Sequence, residues 1–145
     1  MTTSPPGIAL CCTDSDLSAL LHEDVPFGDL TTNSLDLAGR PAEASFAARG
    51  PMVVCGIEEA ARMFQLCGAT AQVVVPSGGL AAAGDILLTA QGEAGDVLMA
   101  WKTAQTLAEA LSGIASAARR IVDALHDAGH DIPLACTRKN FPGTR

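Results

Sequence analysis

Apolar positions change their spacing several times along the chain, and each change marks an element. Leu17, Leu20 and Leu21 recur at helical intervals behind Thr13, whose spacing to Asp16 matches a capping box with Asp in the acidic position. A short amphipathic helix is therefore predicted from about Asp14 to Glu23, and Pro26 and Gly28 stop it. Phe27 to Thr32 has turn chemistry rather than periodicity. Glu43 to Arg49 partly alternates, Gly50-Pro51 punctuates, and Met52 to Cys55 is apolar, which reads as two strands and a turn. Ile57 to Cys67 carries a helical stripe of Ala60, Ala61, Phe64 and Cys67, with Gly68 as its C-terminal cap. Strands follow at Ala71 to Val75 and Ile86 to Gln91, bounded by Pro76-Ser77-Gly78-Gly79, Gly84-Asp85 and Gly92. These elements make a small mixed sheet with helices laid on it.

The longest signal runs from Val97 to Leu125, where Trp101, Ala104, Leu107, Ala108, Leu111, Ile114, Ile121 and Val122 keep an i, i+3, i+4 rhythm. About thirty residues at 1.5 Å each give roughly 45 Å of helix, or two helices end to end. The stripe assigns Trp101 to the core. Gly113, after Ser112, costs about 1 kcal/mol relative to Ala in a helix interior, which predicts a kink or a close helix approach there. After Gly129, Ile132 to Cys136 reads as a short apolar strand that runs into Thr137-Arg138-Lys139. A buried strand delivering basic residues at its C-terminal end is a binding-site layout in α/β folds.

Composition narrows the function classes. The chain has 145 residues, 48% of them hydrophobic, but no apolar run approaches the roughly 20 residues of a membrane span. Met1 to Cys12 has no Lys or Arg and only a six-residue apolar stretch from Gly7, so no signal peptide or membrane association is expected and the location is read as cytoplasmic. Four Phe, one Trp and no Tyr leave little for base stacking, and a net charge of −7 opposes phosphate-backbone binding. Nucleic acid is excluded as a partner. Charge is uneven: residues 1–100 hold three basic and twelve acidic side chains, whereas residues 101–145 hold six basic and four acidic. Either Arg119 and Arg120 decorate a solvated helix, or an anionic small molecule binds toward the C-terminal end. Cys11, Cys12, Cys55, Cys67 and Cys136 match no zinc spacing, and His22, His126 and His130 are scattered, so no metal site is assigned and buried free thiols are expected.

Three stretches resemble the quinolinate phosphoribosyltransferase family, also called nicotinate-nucleotide pyrophosphorylase (carboxylating). Leu21 to Thr32 is similar to its E-D-x-x-x-G-D-x-T-T signature, Leu111-Ser112-Gly113-Ile114-Ala115-Ser116 to its L-S-G-I-A-T helix, and Thr137-Arg138-Lys139-Asn140-Phe141-Pro142-Gly143 to its T-R-K-x-x-P-G segment. Trp101-Lys102-Thr103 stands where most quinolinate enzymes have Glu-Arg-Thr, and this together with the Phe-Pro-Gly-Thr ending looks more like the ModD branch, associated with molybdenum transport.

The resemblance implies an α+β fold: an N-terminal open-faced sandwich domain with long helices, followed by the first strand of a truncated α/β barrel. The corresponding boundaries are a lead-in over residues 1–12, the sandwich domain over 13–112 and the start of the barrel over 113–145. It implies transfer of phosphoribosyl from 5-phosphoribosyl 1-pyrophosphate to a pyridine dicarboxylate, with decarboxylation to nicotinate mononucleotide. Lys102, Thr137, Arg138 and Lys139 would bind the dicarboxylate, Lys102 reaching the active site of a second subunit in a homodimer. No catalytic residue is assigned, and the ligands of the family's Mg²⁺ would lie beyond Arg145, so the 145-residue chain alone is expected to be inactive. Two alternatives remain: a non-catalytic dimerisation or binding module, and a ModD-type protein with a different substrate.

Overall fold

The computed structural model describes residues 10–29, 32, 34–37, 39–135 and 137. Helix α1 spans Asp14–Asp24, strands β1 and β2 span Pro41–Ala47 and Met52–Val53, and helix α2 spans Ile57–Leu66. Strands β3, β4 and β5 follow at Thr70–Val73, Leu80–Ala81 and Ile86–Glu93, and helix α3 runs from Ala94 to Asp127. Three antiparallel strands form a sheet in the order β1-β5-β3, and β2 pairs with β4 in a second small sheet.

Strand periodicity sorts the larger sheet into two faces. Ala44 and Phe46 of β1 lie opposite Ala90 and Leu88 of β5, which in turn face Ala71 and Val73 of β3. These side chains join the core with Phe64 of α2, whose ring meets that of Phe46 at 5.8 Å in a tilted contact. The alternate positions, Glu43, Ser45, Gln91 and Thr70 among them, are exposed. One face is covered by helices and the other is open, which is the sandwich expected from the resemblance.

Local chemistry places the helix ends. Thr13 and Asp16 form the expected capping box, the Thr13 hydroxyl accepting from the Asp16 amide and the Asp16 carboxylate accepting from the Thr13 amide at 2.9 Å. Gly68, at φ +107°, closes α2 as expected: the Ala69 amide donates to Phe64 and the Gly68 amide to Gln65. That pair of bonds is a Schellman closure, which needs a left-handed residue at the turn. Arg62 of α2 holds Asp14 of α1 through two hydrogen bonds of 2.9 and 2.7 Å, while Leu17 and Leu21 anchor α1 in the core.

Helix α3 differs from its sequence reading in which face it buries. Its buried residues are Ala94, Val97, Ala100, Ala104, Ala108 and Ser112, whereas Trp101, Ile114 and Ile121 are 41%, 68% and 52% exposed. Trp101 is therefore not a core residue. Small side chains at four-residue spacing let α3 approach α2, which contributes its own buried Ala60 and Ala61, and backbone proximity outweighs the pull of the larger apolar groups. The helix is one element through Ser112-Gly113, not two. A Cβ at Gly113 would meet no atom within 4 Å, so the close approach predicted there falls elsewhere. It falls one residue earlier on α3 and at Gly56, where a Cβ would lie 2.5 Å from Leu111 Cδ1.

That approach completes the hydrogen bonding of residues 53–56. Ser116 Oγ accepts from the Val53 amide at 2.9 Å, and the Val54 amide donates to Gly79. Ser112 Oγ accepts from the Cys55 amide at 2.9 Å and donates to the Cys55 carbonyl at 3.1 Å. Ser77 Oγ accepts from Gly56 and donates to Glu58. Every amide of the segment is paired, as burial beside a helix demands.

The strand expected over Ile132–Cys136 does not form in the described part, residues 132–135, whose side chains are exposed and which carry no strand structure; Cys136 lies outside the described residues. An isolated extended segment has no sheet edge to satisfy its backbone.

Ser112→Ala removes the partner of the half-buried amide and carbonyl of Cys55 and is expected to lower stability by about 1–3 kcal/mol. Gly113→Ala, with open space for the new methyl, is expected to raise it by up to about 1 kcal/mol. Urea denaturation compares the two, and equal effects would remove the assignment of the approach to Ser112. A second expectation concerns acid. The Arg62 guanidinium holds the Asp14 carboxyl below its usual range, and the Thr13 hydroxyl does the same for Asp16. A carboxyl depressed in the folded state stabilises fully above its unfolded value, about 3.9, and the contribution is lost as pH falls through the lower folded value. Melting temperature therefore drops on acidification below pH 4, and Arg62→Met makes that drop shallower.

Candidate functional site

The cationic residues assigned from the sequence take different positions. Lys102 lies on the exposed side of α3, two turns into the helix, and its ammonium sits 5.3 Å from the centroid of the Trp101 ring. That is cation–π distance. Thr137 lies beyond α3, exposed and outside any helix or strand. Arg138 and Lys139 lie outside the described residues. From Lys102 to Asp127 the helix advances about 38 Å, so α3 carries Lys102 away from the end at which the chain leaves toward Thr137.

Around Lys102 the helix is tied on both sides. Thr103, the next residue, donates from Oγ1 to Asp24 Oδ2 at the end of α1, at 3.0 Å. Trp101, the preceding residue, stands on the lip of a cavity of about 650 Å³ between β1, the β1–β2 turn and α3. Phe46, Pro51 and Met52 line one wall of this cavity, and Gln105 and Glu109 line the other. Gln105 donates to Glu109 at 2.8 Å, and Arg49 adds an exposed cation at the mouth. Periodicity missed Trp101 and Gln105 as cavity residues because it weighted the bulk of Trp over the alanines beside it. Past Asp24, Asp29 accepts from the amide of buried Thr32 at 3.2 Å and also bonds its hydroxyl.

Other candidates resolve differently. Arg119 pairs with Asp123 at 2.7 Å one turn on, the solvated-helix alternative for that residue, while Arg120 borders a shallow groove with Ile121 and Leu125. The described cysteines are free, but none is buried as expected: Cys11 is exposed, and Cys12, Cys55 and Cys67 are half-buried. They stand at the ends of helices and turns, where the surface begins. Partial burial first, then the Glu59 carboxylate, pushes the Cys12 and Cys55 thiols up, and burial followed by Asp96 does so for Cys67. Raised thiols hold less of the nucleophilic thiolate, in keeping with packing roles. Among the described residues, no group of three His, Cys, Asp or Glu side chains is placed to hold a metal ion, and no helix is long and apolar enough to cross a membrane.

Residues 29–112 match the family model described as the quinolinate phosphoribosyl transferase, N-terminal domain. Over 132 residues the chain is 48% identical to a protein of Rhodobacter capsulatus named as a ModD pyrophosphorylase, covering 91% of this chain and 51% of that protein. It is 36% identical over 126 residues to a protein of Methanocaldococcus jannaschii named as a carboxylating nicotinate-nucleotide pyrophosphorylase, covering 87% of this chain and 44% of the relative. The crystal structure of NadC from Streptococcus pyogenes aligns with a TM-score of 0.81 at 32% identity, over 90% of this chain and 46% of that one. The nicotinate-nucleotide pyrophosphorylase from Ehrlichia chaffeensis aligns with a TM-score of 0.81 at 26% identity, over 92% and 49%. The chain thus spans about half the length of the curated relatives it matches.

Proposed function

Because this chain belongs to the quinolinate phosphoribosyltransferase family, by a match to its N-terminal domain over residues 29–112, we propose that it supplies that domain to a phosphoribosyl-transferring enzyme. The reaction joins the ring nitrogen of a quinolinate-like pyridine dicarboxylate to the ribose carbon of 5-phosphoribosyl 1-pyrophosphate. Pyrophosphate leaves, and the ring loses one carboxyl group as carbon dioxide to give nicotinate mononucleotide. The observation that carries the reading is the position of Lys102, exposed and inside the matched stretch, on the helix turn that the Asp24 and Trp101 contacts define.

In this reading Lys102 contributes a compact point charge to one carboxylate of the ligand, and Arg138 a planar guanidinium fork to the other. Thr137 and Lys139 add a hydroxyl and a second ammonium. The length of α3 between Lys102 and the end at which the chain leaves toward Thr137 favours a site shared between two copies, in which Lys102 of one copy acts with Thr137, Arg138 and Lys139 of the other. Cations preorganised in this way hold and desolvate a dianion without needing a nucleophile. Mg²⁺ belongs to the family's chemistry on the pyrophosphate, but the described residues offer no ligand set for it and no step here passes through it.

A second reading is favoured by one comparison. The identity to the protein named ModD, 48%, exceeds the 36% to the nicotinate-nucleotide pyrophosphorylase, and Lys102 replaces a bidentate grip by a point charge. A related anion other than quinolinate would then fill the same cradle. A non-catalytic dimerisation module is the remaining alternative.

Titration of the native protein with quinolinate tests the assignment. Lys102→Ala is expected to weaken binding about tenfold or more, the worth of a hydrogen bond to a charged group. Unchanged affinity removes Lys102 from the site, and a wild-type protein that ignores quinolinate while binding another pyridine carboxylate favours the second reading. Residues 1–145 alone, which span about half the length of the relatives, are expected to form no nicotinate mononucleotide, and product formation by them overturns the proposal that they supply only one domain of the enzyme.

A further inference from the structure

Helix α1 ends in a carboxylate where its own electrostatics disfavour one. The C-terminal end of a helix carries partial negative charge, so an acidic side chain there gains nothing from the helix. Asp24 nonetheless closes α1, and its Oδ2 accepts from Thr103 Oγ1 at 3.0 Å. The rest of α1 is fastened to the core and to α2, by Leu17, Leu21 and the Asp14–Arg62 pair. The Asp24–Thr103 bond is what ties its far end to α3.

On α3 the bond lands on the residue next to Lys102. Three consecutive side chains then have three different attachments: the Trp101 ring on the cavity lip, the Lys102 ammonium over that ring, and the Thr103 hydroxyl on α1. We propose that Asp24 and Thr103 are positioning residues, whose hydrogen bond holds the helix turn that carries Trp101 and Lys102 and so sets where the cation meets an anionic ligand. The role in ligand binding rests on the reading of Lys102 given above. Neither Asp24 nor Thr103 touches the ligand. Asp24 also begins the turn that leads to the Asp29–Thr32 bonds, so one carboxylate links that turn to the helix bearing Lys102.

Trp101 is the only tryptophan of residues 1–145, and with any tryptophan outside them replaced by phenylalanine its fluorescence reports on this turn alone. The native protein and its Asp24→Ala, Thr103→Val and Thr103→Ser variants are compared by acrylamide quenching of Trp101 and, in the same samples, by quinolinate titration. Asp24→Ala and Thr103→Val are expected to raise the quenching constant and to weaken quinolinate binding about fivefold, the worth of one hydrogen bond. Thr103→Ser keeps the hydroxyl and is expected to match wild type in both. The Asp24→Ala/Thr103→Val double variant is expected to be no worse than either single one, because both break the same bond. Wild-type quenching in both single variants overturns the proposal, as does a Thr103→Ser variant that behaves like Thr103→Val. Raised quenching with unchanged quinolinate affinity overturns the positioning role. If quenching responds as expected but the wild-type protein binds no quinolinate, the hydrogen-bonded latch stands and the quinolinate reading fails.

Discussion

A long helix can lie at backbone distance from an extended segment only if small side chains separate them and the segment's polar groups find partners on the helix. Both conditions meet where α3 passes residues 53–56. Ser112 and Ser116, one turn apart, give their hydroxyls to the amides of Cys55 and Val53, and Leu111 fills the space left open at Gly56. Ala100, Ala104 and Ala108 extend the same narrow face toward α2. The orientation of α3 follows from this seam, and with it the direction in which every other residue of the helix points.

The site depends on that orientation. With the alanine face turned inward, Trp101 is driven to the lip of the cavity and Lys102 outward beside it. The cost of exposing a large aromatic ring is offset by its contact with the ammonium and by the cavity wall it completes. Glu58 and Ser77 extend the polar seam on the far side of Gly56, so that the first turn of α2 shares in the same hydrogen-bonded seam. Structure and proposed chemistry thus use opposite faces of one helix.

Motifs that looked alike as sequence divide into different kinds of work. The Leu111-Ser112-Gly113 stretch is structural: its serine and leucine bind a neighbouring backbone, and its glycine faces open space. The stretch ending in Asp24 and Asp29 bonds buried Thr32 and reaches α3. Lys102 stays exposed beside the Trp101 ring. The basic residues Arg138 and Lys139 lie outside the described residues.

Sequence alone determined the three helices, four of the five strands, the capping box at Thr13 and the closure of α2 at Gly68, because each depends on neighbours a few residues apart. It also carried the family likeness in short motifs. It passed over the two-residue strand β4, read a strand at 132–136 that the described part does not form, and expected buried cysteines. It also misjudged the rotation of α3, the exposure of Trp101 and the place of the close approach, and it is these last three that have one cause. Those depend on which of two helix stripes, bulky or small, finds a matching surface, and that surface is assembled from Ala60, Ala61 and the amides of residues 53–56, roughly 40 to 60 positions away. Local hydrophobicity cannot weigh a backbone hydrogen bond formed across such a distance, and only the tertiary structure decided it.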